Sequence, residues 1–231
     1  MKICGFNKTT LLDYPEHVAS TIFLGGCNLR CPFCQNGGLV LRPGEQPEYD
    51  REEILKFLKK RKGILDGVCV TGGEPTLAND LRDFILQLKE LGYPVKLDTN
   101  GTRPEVLKDL LERNLLDYVA MDIKTSPANY TVLTGGVDCV EAVKESVEML
   151  MKGSVPYEFR TTVVKELHSR SDFEEIGTWL EGAERYFLQA YKDSEEVLQP
   201  GFSGYTAEEL QAFAELLRKN IKYVGIRGID L

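Results

Sequence analysis

The 231-residue sequence has little of several features that would direct it to a particular environment. Its apolar runs fall far short of the ~18 residues that a membrane helix requires. Lysine and arginine number 28 against 36 acidic residues, which gives a formal net charge of −8. Nucleic acids and anionic membranes bind basic surfaces, so this balance argues against both as partners. The first residues turn polar too early for a secretory signal core, and we expect a cytoplasmic protein.

Cysteine is also scarce, with six in the chain, which excludes a secreted scaffold built on disulfides. Three of the six, Cys27, Cys31 and Cys34, nevertheless fall within eight residues of one another. In a reducing compartment such a group indicates a metal site rather than a set of disulfide bridges.

No low-complexity linker divides the chain, and we expect a single domain over residues 1–231, with 191–231 forming a C-terminal helix and an edge strand. Short β-branched runs alternate with amphipathic segments, a pattern that repeats about six times and indicates a parallel sheet with right-handed crossovers. Periodicity leaves open a doubly wound sheet or a complete or partial barrel, although six units are too few for a full eight-unit barrel. The predicted strands are 18–24, 67–71, 94–98, 117–122, 157–163 and 185–190, with an edge strand at 221–227.

Three helix starts are predicted from capping-box spacing, in which a hydroxyl and a carboxylate three residues later each satisfy a backbone N–H. The pairs are Thr102 with Glu105, Ser171 with Glu174, and Thr206 with Glu209. Two histidines and an isolated cysteine are assigned no chemistry. Cys69 is expected to be structural within a strand, His168 to be exposed in a polar loop, and His17 to lie away from any cluster.

Polar or glycine-rich segments follow four consecutive predicted strands, at residues 25–36, 72–75, 98–101 and 121–124. The carboxyl ends of parallel strands meet at one edge of the sheet, where ligands bind in α/β folds. We therefore expect the four segments to form one site.

Three thiolates at spacings of four and three suit an iron–sulfur cluster, because soft sulfur ligands select iron–sulfur or zinc. A structural zinc site normally has four protein ligands, and the sequence offers no fourth one near Cys34. A 4Fe–4S cluster held by three cysteines leaves one iron open for a small chelating ligand. Gly72 and Gly73 would let that ligand approach bare backbone, and Glu74 would accept hydrogen bonds from its ammonium group. The side chains expected around the same zwitterionic or cationic ligand are Asp98, Thr99, Asp122 and Lys124.

The Cys27-x3-Cys31-x2-Cys34 triplet, with an aromatic residue before its last cysteine, resembles the radical S-adenosylmethionine superfamily. Gly72-Gly73-Glu74-Pro75 after the second strand strengthens this resemblance. Asp98-Thr99-Asn100-Gly101 and Asp122-Ile123-Lys124, with Asp13-Tyr14-Pro15 upstream, are similar to the glycyl-radical-enzyme activases. Among these, the chain most resembles the activating proteins of anaerobic (class III) ribonucleoside-triphosphate reductase.

The resemblance implies an α/β fold in the form of a partial (β/α)6 TIM-like barrel of the radical S-adenosylmethionine type. It implies one 4Fe–4S cluster, held by the catalytic cysteines Cys27, Cys31 and Cys34, whose open iron chelates S-adenosylmethionine. Reductive cleavage of this cosubstrate gives a 5′-deoxyadenosyl radical, which takes a hydrogen atom from a glycine of the partner enzyme.

The resemblance also implies roles for individual residues in cofactor binding. Those assigned to S-adenosylmethionine are Phe33 beside the adenine, Gly72, Gly73 and Glu74 at the methionyl amino group, and Lys124 and Arg160 at the methionyl or ribose end. In the pyruvate formate-lyase activases, the positions of Asp98, Thr99 and Asp122 also bind a monovalent cation, which is a candidate further cofactor.

The implied partner is a glycyl-radical enzyme, with anaerobic ribonucleoside-triphosphate reductase the first choice and a pyruvate formate-lyase type the alternative. A flavodoxin or ferredoxin would donate the electron, and the basic helix end at residues 59–62 is a candidate docking surface for it. Two other classes remain open. One is a radical enzyme acting on a small molecule, such as 7-carboxy-7-deazaguanine synthase, and the other is a non-catalytic metal-binding or electron-transfer protein.

Overall fold

The computed structural model describes residues 1–229 and shows an α/β fold whose strands are mostly parallel. The strands are β1 (Ile3–Thr10), β2 (Ala19–Leu24), β3 (Gly67–Gly72), β4 (Val95–Thr99), β5 (Tyr118–Asp122), β6 (Tyr157–Val163), β7 (Arg185–Ala190) and β8 (Tyr223–Arg227). The helices are α1 (Gly37–Leu41), α2 (Arg51–Arg61), α3 (Leu81–Glu90), α4 (Pro104–Glu112), α5 (Tyr130–Leu133), α6 (Val140–Lys152), α7 (Arg170–Trp179) and α8 (Ala207–Leu217). All seven predicted strands are confirmed to within two residues. None of the helices found between residues 1 and 229 combines the length and apolar character needed to cross a bilayer.

The chain divides into two compact units. The first unit comprises Met1–Asn28, Asn36–Thr99 and Arg103–Ala120, and the second comprises Leu29–Gln35, Asn100–Thr102 and the chain from Met121 onward. Cys27 therefore belongs to the first unit, whereas Cys31 and Cys34 belong to the second.

In the first unit, β2, β3 and β4 are parallel neighbours, and their alternating side chains separate an apolar face from a polar one. Val68, Val70, Val95 and Leu97 are fully buried on the apolar face. Helix α3 contacts β4 and buries one apolar stripe, each residue of which is at most 1% exposed: Leu81, Phe84, Ile85 and Leu88. Burying such side chains stabilises the fold by roughly 1.5–3 kcal/mol each. The opposite strand face carries Thr21, Cys69, Lys96 and Asp98.

Strand β1 was not predicted from the sequence. It pairs antiparallel with β2, and its pairing is interrupted by two register shifts. Its middle residues Asn7 and Lys8 are exposed, and Gly5 lies against the ring of Phe23, where a Cβ would come within 3.1 Å. A strand with a glycine, polar residues and bulges shows no clear apolar alternation, so its period is hidden in the sequence.

In the second unit, β6, β7 and β8 are parallel neighbours. Phe159, Tyr186 and Leu188 are fully buried on one face. The other face is charged, although strands of a parallel sheet are usually apolar on both faces. The carboxylate of Glu158, which is 1% exposed, accepts two hydrogen bonds from the Arg227 guanidinium at 2.6 and 2.8 Å. Arg227 in turn lies 3.4 Å from the centre of the Phe187 ring.

The predicted capping box at Thr206 is confirmed. The Glu209 N–H donates to the Thr206 hydroxyl at 3.2 Å, and the Thr206 N–H donates to the Glu209 carboxylate at 2.8 Å. The box predicted at Thr102 is wrong, because its hydroxyl and N–H both donate to the Asn100 side-chain oxygen, and the next helix begins only at Pro104.

The box predicted at Ser171 is displaced by two residues. Helix α7 is capped by Ser169, whose N–H and hydroxyl donate to the Asp172 carboxylate at 2.8 and 2.7 Å. Aspartate replaces glutamate in this box, and Asp172 also binds residues from another loop, which sequence spacing does not reveal.

Substitution of the two serines tests this assignment. Ser169→Ala should lower the free energy of unfolding by about 1 kcal/mol, since it removes the capping hydroxyl. Ser171→Ala is the matched control and should change it by less than about 0.5 kcal/mol, because Ser171 is exposed and water can replace its hydroxyl as the 2.9 Å partner of the Ser169 hydroxyl. Urea unfolding of the full chain measures both, and a larger effect at Ser171 would contradict the cap at Ser169.

Candidate active site

In the first unit, the loops that follow β2 and β3 are in direct backbone contact. The Gly73 N–H donates to the Leu24 carbonyl at 2.8 Å, and the Glu74 N–H donates to the Gly26 carbonyl at 2.7 Å. A Cβ on Gly72 would lie 2.2 Å from the Leu24 oxygen, and one on Gly73 would lie 1.9 Å from the Gly26 oxygen. Both glycines are therefore required by the approach of the loop that leads into Cys27. Their position after β3 was predicted from the sequence, whereas their contact with the loop after β2 was not.

Glu74 is held by hydroxyl groups and a backbone amide within the same unit. It is 2% exposed, and its Oε1 accepts hydrogen bonds from the Thr76 N–H at 3.0 Å, the Thr76 hydroxyl at 2.5 Å and the Thr99 hydroxyl at 2.8 Å. The structure thus brings together two of the predicted site residues, Glu74 and Thr99. Their hydrogen bond fixes the orientation of a buried carboxylate, the group that an ammonium ligand requires.

Asp98 lies on the polar face of β4, beside two groups to which the sequence analysis gave no chemistry. Its Oδ1 contacts the Lys96 Nζ and accepts from the Cys69 thiol at 3.7 Å. Lys96 is 1% exposed and also lies 3.8 Å from the Cys69 sulfur. The sheet register pairs Cys69 with Lys96, so these three side chains share one face by strand geometry.

In the second unit, the loop carrying Cys31 and Cys34 is anchored by backbone hydrogen bonds. The Cys34 N–H donates to the Cys31 carbonyl at 3.0 Å, and the Arg30 N–H donates to the Thr134 carbonyl at 3.0 Å. Cys31 and Phe33 are each 5% exposed, while Cys34 is half-buried.

The same loop is braced by the segment at residues 192–199. The Leu198 N–H donates to the Cys34 carbonyl at 3.0 Å and the Gln199 N–H to the Pro32 carbonyl at 2.9 Å, while the Gln35 side chain donates to the Lys192 carbonyl at 2.5 Å. The sequence analysis found no role for this segment, because backbone hydrogen bonds leave no residue pattern.

Asp122, Lys124 and Arg160, which the sequence analysis placed in the site, form one ionic cluster in the second unit. The Arg160 Nε donates to Asp122 Oδ1 at 2.6 Å, and the Lys124 Nζ donates to Asp122 Oδ2 at 2.9 Å. Burial raises the pKa of Asp122, but the two cations outweigh it and hold that pKa below its usual range. Burial lowers the pKa of Lys124, but Asp122 and the nearby Cys31 and Cys34 thiols raise it above its usual value. The cluster has a net positive charge next to two of the candidate iron ligands.

His168 is buried, so its predicted exposure is wrong. Its ring lies 6.0 Å from that of Phe33 and 6.0 Å from that of Phe173. Its Nδ1 lies 3.0 Å from the Val164 nitrogen and 3.2 Å from the Val164 oxygen, and its Nε2 lies 2.8 Å from the Lys124 oxygen, so a neutral ring protonated at Nε2 can accept from the Val164 N–H and donate to the Lys124 carbonyl. Burial lowers the pKa of His168, in agreement with a neutral ring. The His168 side chain therefore helps to position the Phe33 ring and the Lys124 backbone. Its burial could not be predicted, because most of its neighbours in the sequence are polar.

Asp172 links the start of α7 to the loop after Lys124. Its Oδ1 accepts from the Ser126 hydroxyl at 2.6 Å and the Asn129 amide at 2.7 Å, and its Oδ2 accepts from Ser169. Burial raises the pKa of Asp172, but these hydrogen bonds lower it to about 2.

The upstream residues Asp13 and Tyr14 and the neighbouring His17 lie at the amino end of β2. Tyr14 is buried, stacks on His17 at 4.0 Å and packs against Tyr118, while Asp13 accepts from the Thr21 hydroxyl at 2.5 Å. Cys27 follows the other end of this six-residue strand, which spans about 20 Å. His17 is accordingly removed from Cys27, as the sequence analysis expected.

Cys27, Cys31 and Cys34 are not joined to any cysteine by a disulfide bond. Within residues 1–229, no three histidine, cysteine, aspartate or glutamate side chains are close enough together to hold a metal ion. The donor set is still chemically suited to an iron–sulfur cluster, because it supplies three soft sulfur ligands within eight residues of the sequence.

The sequence matches the model of the Radical SAM superfamily over residues 21–180, and the chain belongs to this superfamily. A Methanocaldococcus jannaschii protein named as a glycyl-radical enzyme activating enzyme is 31% identical over 242 residues, which cover 99% of this chain and 96% of the relative. A Thermococcus kodakarensis protein named as a GTP 3′,8-cyclase is 33% identical over 143 residues, which cover 62% of this chain and 46% of the relative.

Solved structures of distant sequence share the fold. Streptococcus suis SuiB bound to S-adenosylmethionine has a TM-score of 0.69 at 16% identity, covering 90% of this chain and 52% of SuiB. A domain of the pyruvate-formate lyase-activating enzyme from Bacteroides vulgatus has a TM-score of 0.58 at 18% identity, covering 71% of this chain and 99% of the domain. These matches confirm the predicted α/β fold of the radical S-adenosylmethionine type.

The contact at Gly73 predicts that this position accepts no side chain. Gly73→Ala should lower the free energy of unfolding by about 2 kcal/mol or more, because the new methyl group overlaps the Gly26 carbonyl. Gly44→Ala is the matched control and should change it by less than about 0.5 kcal/mol, as no atom lies within 4 Å of its Cβ. Urea unfolding of the full chain is the measurement, and equal effects of both variants would refute the loop contact.

The pKa of Asp172 predicts acid-sensitive stability. Because folding lowers this pKa from about 4 to about 2, the ionised form stabilises the fold above pH 4 by about 2 kcal/mol, and this contribution is lost as the pH falls toward 2. Asp172→Asn should therefore be destabilising at pH 7, with a difference from the natural protein that shrinks between pH 5 and 3. Urea unfolding of the cluster-free chain measures this difference. The exposed α7 residue Glu174, changed to Gln, is the control, and a pH-independent effect of Asp172→Asn would contradict the assignment.

Proposed function

We propose that this chain activates a glycyl-radical enzyme, using S-adenosylmethionine and one 4Fe–4S cluster. The observation that carries the proposal is the match to a relative named for this activity over nearly the full length of both chains. The match to the GTP 3′,8-cyclase leaves more than a third of this chain uncovered, which favours the activase over an enzyme acting on a small molecule.

The proposed cluster ligands are Cys27, Cys31 and Cys34. When bound, the cluster would supply the electron that cleaves S-adenosylmethionine to methionine and a 5′-deoxyadenosyl radical, and that radical would take a hydrogen atom from a partner glycine. The net positive charge of Asp122, Lys124 and Arg160 supports this placement, because it lies beside Cys31 and Cys34 and favours an anionic group bound there.

The other predicted site residues would bind and orient S-adenosylmethionine. An ammonium has three hydrogens, so Lys124 can donate to Asp122 and to a ligand carboxylate or ribose hydroxyl at once. Arg160 would support the same end of the ligand. Phe33, held by His168, would pack beside the adenine, and the fixed carboxylate of Glu74 would accept from the methionyl ammonium. Gly72 and Gly73 would contribute backbone rather than side chains.

We propose anaerobic ribonucleoside-triphosphate reductase as the partner, on the resemblance of the Asp98-Thr99-Asn100-Gly101 and Asp122-Ile123-Lys124 motifs. The proposed electron donor is a flavodoxin or ferredoxin. The exposed Lys59 and Lys60 at the end of α2 support a docking surface for such an acidic donor, while Lys62 donates to the Gly92 carbonyl. The six cysteines form no disulfide bonds, which is in keeping with a reducing cytoplasm.

The protein reconstituted with iron and sulfide without oxygen provides the test. With dithionite and S-adenosylmethionine it should release 5′-deoxyadenosine and methionine in equal amounts, and with the reductase it should produce a glycyl doublet in electron-spin-resonance spectra. Cys31→Ser should abolish both signals, whereas Cys139→Ser, at a cysteine outside the motif, should retain them.

The two readouts separate the alternatives. Bound iron without 5′-deoxyadenosine would identify a non-catalytic metal-binding or electron-transfer protein. Formation of 5′-deoxyadenosine without a glycyl radical on the reductase would remove that partner, and repeating the assay with a pyruvate formate-lyase-type enzyme would decide whether the activase class itself holds.

A further inference from the structure

The monovalent cation implied by the resemblance does not fit the residues of this chain. Its expected protein ligands are the carboxylates of Asp98 and Asp122 and the hydroxyl of Thr99. A K⁺ or Na⁺ ion is favoured between two carboxylates whose negative charge has no other cationic partner, and both of these carboxylates already have one.

Asp98 is compensated by a lysine of the same strand. Lys96 precedes it by two residues on β4, and its Nζ contacts Asp98 Oδ1. The lysine is 1% exposed, so its charge is removed from water and depends on such a partner. A second cation on this carboxylate would lie within a few ångströms of the ammonium and be repelled by it.

Thr99 and Asp122 are engaged as well, each within its own unit. The Thr99 hydroxyl directs its hydrogen to Glu74 Oε1 at 2.8 Å. The two oxygens of Asp122 accept separately from the Arg160 Nε and the Lys124 Nζ, at 2.6 and 2.9 Å. Both carboxylates therefore have cationic side chains of the protein as partners.

We propose that Lys96 is a positioning residue that supplies Asp98, as a fixed ammonium, with the positive charge that an ion supplies in the cation-dependent activases. S-adenosylmethionine would then bind to this protein without K⁺ or Na⁺. The inference depends on the proposed function, since it takes S-adenosylmethionine as the ligand. Lys96 stands out in the sequence only as one charged residue within the apolar run Val95-Lys96-Leu97.

The test measures binding of S-adenosylmethionine to the reconstituted protein by anaerobic equilibrium dialysis. Three buffers of equal ionic strength contain KCl, NaCl or tetramethylammonium chloride, whose cation is too large for an oxygen-lined site. The natural protein should bind with the same affinity in all three, to within about twofold. An affinity about tenfold weaker in tetramethylammonium than in KCl or NaCl would overturn the inference.

Lys96→Met keeps the length of the side chain and removes its charge. This variant should bind S-adenosylmethionine about tenfold more weakly in tetramethylammonium, the effect of losing one charge-assisted hydrogen bond, and K⁺ or Na⁺ should restore most of the affinity. Lys96→Arg should remain insensitive to the cation. Lys108→Met, which removes an exposed lysine of α4, is the matched control and should behave as the natural protein does. Loss of affinity in Lys96→Met without rescue by either ion would also contradict the proposal.

The outcomes distinguish this inference from the proposed function. If the natural protein binds and cleaves S-adenosylmethionine only when K⁺ or Na⁺ is present, the activase proposal stands and the role of Lys96 falls. If it binds no S-adenosylmethionine in any of the three salts, the proposed function falls too. Should Lys96→Met fail to fold, the salt series on the natural protein decides the question by itself.

Discussion

Charged side chains on the strand faces that point away from the helices need a partner of opposite charge wherever water is excluded. The described part of each unit supplies such partners. Asp98 is paired with Lys96 in the first unit, while Asp122 is paired with Lys124 and Arg160 in the second. Glu158 receives both arms of the Arg227 guanidinium. An unpaired buried charge is strongly destabilising, so these pairs are a condition for keeping charged residues in the interior at all. The proposed chemistry depends on them, because a polar interior is where a zwitterionic cosubstrate can be bound.

Much of this arrangement could be predicted from the sequence, for a physical reason. The strands β2 to β8 carry β-branched and aromatic runs, and α3 has a regular apolar stripe, so local pattern and tertiary burial agree. The Gly72-Gly73-Glu74 and cysteine motifs were located because their residue types are unusual after a strand. Strand β1 escaped prediction because Gly5 and the exposed Asn7 and Lys8 remove the period-two signal.

The remaining features depend on contacts between segments far apart in the chain. His168 lies among polar residues in the sequence, yet Phe33 and Phe173 cover its ring from other elements. Ser169 caps α7 through an aspartate that is held at the same time by Ser126 and Asn129. The backbone overlap that requires Gly73 involves Gly26, 47 positions earlier in the chain. In each case the partner lies in a segment distant in sequence, which the local residue pattern does not reveal.

The hydrogen bonds between residues 192–199 and the cysteine loop constrain the backbone of this segment more than its side chains. Two of these three hydrogen bonds join main-chain groups, Leu198 to Cys34 and Gln199 to Pro32. Side chains in the carboxyl-terminal segment can therefore be exchanged with little effect on those bonds, provided that the backbone keeps its path and each donor keeps its N–H. A proline at either donor position would remove its bond outright. Sequence changes that keep this backbone path would therefore leave the support of the cysteine loop in place.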